Sequence, residues 1–113
     1  MVEQLKNIFD KHFVFLVDDY GYTVDYSSYD TESFGNFIIG MSRGEKKIRI
    51  LSDRSHIFVE IFDKKQGWMD KEEILKNRGI LMTRFSSTMG LWDGNQIENQ
   101  VADIKKHKEI LGL

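Results

Sequence analysis

Three runs of alternating apolar residues between Phe34 and Asp63 leave this chain few folds to choose from. Phe37, Ile39 and Met41 alternate in the first run, Ile48 and Ile50 in the second, and Ile57, Val59 and Ile61 in the third. A period of two sends successive side chains to opposite sides of a strand, so each run presents one apolar side to a core. Ser42-Arg43-Gly44-Glu45 supplies the first turn between them, with Gly44 available for a positive φ, and Asp53-Arg54-Ser55 supplies the second. Phe58 and Phe62 point away from Ile57, Val59 and Ile61. A strand apolar on both sides implies a central position or a second layer on its outer face.

The segments around this meander read as helices and one further strand. Residues 2–18 carry Leu5, Ile8, Phe9, His12, Phe13, Leu16 and Val17 at spacings of three and four, which predicts an amphipathic helix with Phe15 at the stripe's edge and Gly21 as its stop. Tyr22–Tyr29 predicts a strand, with Tyr22, Val24 and Tyr26 on one side. Gln66-Gly67 is a break. A helix follows over about Lys71–Arg78, with Asp70 as N-cap, Glu73 in the capping-box position, Met69 and Ile74 as a staple, and Gly79 at its end. Ile80–Phe85 fits a short strand or more helix, and Ser86–Gly94 reads as a loop or lid. A last helix starts near Asn95, with Ile97, Val101, Ile104 and Leu111 on one face. The expectation is a single α+β domain over 1–113: an N-terminal helix, an antiparallel sheet of about four strands in a meander, and C-terminal helices packed on the sheet.

Composition narrows the function classes. At 113 residues the chain suits one domain with its own core. A formal net charge of −2 argues against a general nucleic-acid binder, which would be strongly basic. With no cysteine, disulfides, thiolate metal sites and cysteine nucleophiles drop out. The N-terminal residues carry charges from Glu3 on and resemble neither a signal peptide nor a membrane span, so a cytoplasmic location without membrane contact is expected.

Catalytic and cofactor signatures are missing. His12, His56 and His107 stand far apart, in neither HxH nor HExxH spacing, and no metal or cofactor is expected. His12 lies mid-stripe and reads as an edge-of-core histidine. Ser86, Ser87 and Thr88 lack a GxSxG elbow or an SxxK pattern, and the glycines form no phosphate loop. The cations Arg43, Lys46, Lys47, Arg49 and Arg54, interrupted by Glu45 and Asp53, read as a solvated hairpin tip.

One constellation stands out. From Asp18 to Glu32 the chain reads DDYGYTVDYSSYDTE, with five acids (Asp18, Asp19, Asp25, Asp30, Glu32), four tyrosines and no Lys or Arg. Tyrosine combines contact area with a hydroxyl at low entropy cost, and a field of one sign steers an oppositely charged partner. Such a stretch suits a basic partner, for example a nuclease site built to hold phosphates. The competing reading is half-buried sheet tyrosines and a solvated helix end. Periodicity splits the set, with Tyr22 and Tyr26 toward the core and Tyr20, Asp25 and Tyr29 outside.

The order of these pieces resembles small bacterial immunity proteins encoded beside polymorphic or contact-dependent toxins. The matching residues are Phe15, Leu16, Tyr20, Gly21 and Tyr22, then Phe34, Gly35 and Asn36, then Asp53, Arg54, Phe58 and Val59. They cover roughly the first half of the chain. Tyr22 stands where the pattern has Phe, and Ser55-His56 replaces a Gly-polar pair. The resemblance implies a non-enzymatic protein that binds one toxin domain in the cytoplasm and occludes its active site. Phe34, Gly35, Asn36, Asp53 and Arg54 would be structural. Partner contacts are expected from Asp18, Asp19, Tyr20, Asp25, Tyr29, Asp30 and Glu32, and secondly from Met89 and Trp92 in the Ser86–Asp93 loop. The alternative is a regulatory or adaptor protein acting as a weak homodimer through the outer side of Phe58 and Phe62. An enzyme would need His56 or His107 to converge with carboxylates in a pocket.

Overall fold

The computed structural model describes residues 1–30, 36–53, 56–80 and 94–113. The chain runs α1 (Glu3–Ile8), a π-helical turn (Phe9–Phe13), α2 (Phe15–Asp18), β1 (Thr23–Asp30), β2 (Asn36–Arg43), β3 (Lys46–Asp53), β4 (His56–Asp63), β5 (Gly67–Asp70), α3 (Lys71–Asn77), α4 (Gly94–Lys106) and α5 (Lys108–Leu111). The five strands form one antiparallel meander in the order β1-β2-β3-β4-β5. This is the expected α+β arrangement, with helices at both ends of the chain packed on one side of the sheet.

Alternation builds the core as expected. Phe37, Ile39, Met41, Ile48, Ile50, Ile57, Val59 and Ile61 are all buried on the helical side, against Leu5, Phe9, Phe13, Leu16, Leu75, Ile97 and Ile104. Burying each such side chain contributes about 1.5–3 kcal/mol. The meander runs one strand further than the four expected. Asp63 Oδ1 accepts from the Lys65 and Gln66 amides, and the chain turns back through Gly67, so that Trp68 and Met69 pair with Phe62 and Ile61. Four residues are too short for alternation to announce a strand.

The first helix spans the expected stretch but is not uniformly α-helical. The π turn widens the coil by one residue and shifts the face that follows it. Phe15, expected at the stripe's edge, is therefore buried along with Phe13 and Leu16. Gly21, at φ 79°, closes this helix. Its amide donates to the Val17 carbonyl and the Tyr22 amide to that of Leu16.

Asp70 ends β5 and caps α3, its Oδ1 accepting from the Glu72 amide at 2.8 Å. Burial pushes its carboxyl above the usual range, opposed by that bond and by the Lys71 cation. Lys71 itself is fully buried, with Nζ 2.8 Å from Asp103 Oδ2 on α4. Gln100 Nε2, also on α4, donates to the Ile57 carbonyl at 3.0 Å. These bonds fix α4 against α3 and β4. Replacing Lys71 with Met removes the cation that compensates a buried carboxylate, and should cost about 3 kcal/mol in urea unfolding. An unchanged midpoint would show that the pair holds nothing together.

A β-bulge between Val24 and Tyr26 sets the first strand's geometry. It puts Ser27 and Tyr29 on the core side and turns Tyr26 outward onto Gly40. A Cβ at Gly40 would fall inside the Tyr26 ring. Gly40→Ala should therefore destabilise by about 1–3 kcal/mol, as overpacking does. Tyr26→Ala added to it should recover part of the loss in thermal unfolding. Simple additivity of the two changes would refute the contact.

Candidate interaction surface

The acidic stretch does not fold into one patch. Asp18 and Asp19 are exposed at the end of α2, while Asp25 sits at the bulge and Asp30 at the far end of β1. Five residues of strand put Asp25 and Asp30 about 17 Å apart at most. Tyr20, expected outside, is half-buried. Its ring meets Phe15 edge-on at 5.2 Å between centroids, and Lys108 Nζ lies 4.5 Å from its centroid. Burial, helped by Asp19, raises its phenol pKa. Tyr29, also expected outside, is half-buried against the core opposite Phe37. Tyr26 is the reverse: expected toward the core, it is 47% exposed. One bulge residue accounts for both strand exchanges, because it inverts the alternation beyond it. Glu32, Met89 and Trp92 lie outside the described residues, as do Phe34, Gly35, Arg54, Ser55 and the stretch 81–93.

The charge picture changes too. In sequence the stretch holds no cation, yet two reach it in space and a third lies just before it. Arg43 donates to the Tyr20 carbonyl and stacks over Tyr22, 4.8 Å from the ring centroid. Lys105 lies 4.7 Å over Phe15, beside Lys108 over Tyr20. These cations gather at the α2 end of the stretch, whereas Asp25 and Asp30 lie further along, on β1. That strand forms one edge of the sheet.

The sheet's other face is a second surface, which none of the described elements covers. Its side chains lie in cross-strand rows. The apolar row is Ile38, Leu51 and Phe58, with Ser28 at its β1 end. Beside it run Tyr26, Gly40, Arg49, Glu60 and Asp70, then Ser42, Lys47, Phe62 and Trp68. Arg49 pairs with Glu60 and stacks 4.1 Å over Trp68. Trp68 meets Phe62 edge-on at 5.5 Å, and Lys47 Nζ lies 5.3 Å over Phe62. Phe58 stays 37% exposed. Of these residues, sequence reading marked Phe58 and Phe62 as outward. It missed Tyr26, Ile38, Arg49, Leu51 and Trp68. Ile38 and Leu51 were detectable as apolar residues out of phase with their strands.

No group of three or more His, Asp or Glu side chains converges among the described residues. A cleft of about 400 Å³ between the β3 and β4 ends, α3 and α5 is lined by Lys46, Asn77, Arg78, Ile74 and Leu113, with no histidine among the described lining residues. No helix among the described residues is long and apolar enough to cross a membrane. No protein-family model, curated protein or solved structure matches this chain.

His12 lines a shallow groove with Lys11, Glu98, Val101, Ala102 and Lys105. Burial, and then the Lys11 cation, lower its pKa below 6.5, while Glu98 pulls it up. The folded state thus favours the neutral ring, and stability should fall as pH drops below about 6.5. An NMR titration should place the His12 midpoint below 6.5, rising in Lys11→Gln and falling further in Glu98→Gln. A midpoint at or above 6.5 would contradict this environment.

Proposed function

We propose that this protein is an immunity protein, which binds a cognate bacterial toxin domain in the cytoplasm and occludes its active site, without chemistry of its own. The observation that carries the reading is β1: an exposed sheet edge bearing Asp25 and Asp30, with the half-exposed Tyr26 ring beside it. An acidic edge with an aromatic anchor suits a basic partner such as a nuclease, whose phosphate site these carboxylates would mimic. The resemblance of the Phe15–Val59 region to immunity proteins points the same way.

Edge acids act mainly on encounter, so the complex should be salt-sensitive. The bait is the purified protein, run against lysate of its native bacterium at low and high salt. The expected catch is one basic partner, toxic when expressed alone and harmless when co-expressed. Asp25→Asn with Asp30→Asn should slow association at low salt, and Tyr26→Ala should cost about 2 kcal/mol of affinity if the ring is a central anchor. A partner whose capture ignores salt and all three changes would move the site off β1. Unrelieved toxicity on co-expression would end the immunity reading.

A further inference from the structure

We infer that the uncovered sheet face is where a second copy of this chain docks, face to face, about a two-fold axis lying in the interface and running across the strands. The inference is independent of toxin binding, because the contact lies on the sheet face and not on the β1 edge.

The face has an interface's composition. An apolar row of Ile38, Leu51 and Phe58 lies at its middle, flanked by Tyr26, Arg49 and Trp68. Tyr, Trp and Arg are the residue types that dominate binding hot spots. Arg49 is already held by Glu60 and Trp68, so little side-chain freedom remains to be lost on docking.

Charge selects the occupant and the axis. Strand β3 carries exposed Lys47 at one end of this face and exposed Asp53 at the other. Neither has an ion-pair partner among the described residues. Stacked sheets keep their strands within about 30° of one another. An axis parallel to the strands would set Lys47 over Lys47 and Asp53 over Asp53. An axis across them reverses one copy end for end, so each Lys47 meets the other copy's Asp53 while Leu51 and Phe58 stay near the centre. The same patch then complements itself, as an isologous contact requires.

Size sets the strength. Strand spacing and rise give a face of about 24 by 27 Å, roughly 600 Å² per copy. Standard interfaces bury about 800 Å² per partner, so this dimer is weak and concentration-dependent.

Sedimentation equilibrium on the full chain tests it. The mass should rise from 13.3 kDa toward twice that value with concentration. Phe58→Glu should abolish the rise while circular dichroism stays unchanged. Lys47→Asp and Asp53→Lys should each weaken self-association about tenfold or more, since each sets like charges opposite one another twice. Mixing these two variants should restore association, because the heterodimer carries both complementary pairs. A mass fixed at the monomer across the range would overturn the inference. So would a dimer indifferent to Phe58→Glu, or two charge-reversed variants that fail to rescue one another.

Discussion

A single layer of helices can cover only one side of a five-stranded sheet, and both proposed surfaces follow from that constraint. The covered side is the core, where strict alternation stacks Ile, Val, Phe and Met against the apolar stripe of the first helix and against α4. The open side must stabilise itself across its strands. It does so with ion-pair and ring contacts in series: Glu60 to Arg49, Arg49 to Trp68, Trp68 to Phe62, and Lys47 over Phe62. Tyr26 lies on Gly40 for the same reason, since the ring shields a backbone that has no side chain to cover it. No described element covers the Ile38–Leu51–Phe58 row, and Phe58 there stays exposed.

The helical layer is positioned by directional bonds as well as by apolar contact. Lys71 to Asp103 and Gln100 to the Ile57 carbonyl each admit one placement of α4 relative to α3 and β4. Apolar burial is non-directional and would tolerate several. A buried ion pair adds less net energy than its geometry implies, because desolvating both charges offsets much of their attraction. Its value here lies in registry. Among the described residues the Tyr22 hydroxyl, Ser52 Oγ and Gln100 Oε1 are buried without a hydrogen-bond partner. Each costs about 1–3 kcal/mol. Burial raises the Tyr22 phenol pKa, opposed by Arg43 above its ring.

The acidic stretch shows how a linear signal disperses in space. Between Asp18 and Glu32 the sequence is of one sign, but electrostatics acts through distance in space. Lys105 and Lys108 lie far along the chain and still reach Phe15 and Tyr20. On β1 the stretch leaves Asp25 and Asp30 at opposite parts of one strand in place of a compact patch. The tyrosines change sides for a separate reason. Strict alternation through Asp25 puts Tyr26 inward and Tyr29 outward, but there the strand carries one residue more than its partner, so the two exchange sides. Nothing local in Val24-Asp25-Tyr26 marks a bulge; it arises from pairing against Gly40 and Met41.

The sequence by itself determined the strands of the meander and their inner residues, the extent of the first helix, the Asp70 cap and the α+β class. All of these rest on periodicity and local chemistry within a few residues. Tertiary structure alone decided the π turn that buries Phe15, the fifth strand, the bulge and the burial of Lys71. Each of these depends on partners outside its own segment: β4 for β5, Asp103 for Lys71, Gly40 for Tyr26. Their energies are set by packing and desolvation between such partners, which residue order leaves open until the chain has closed on itself.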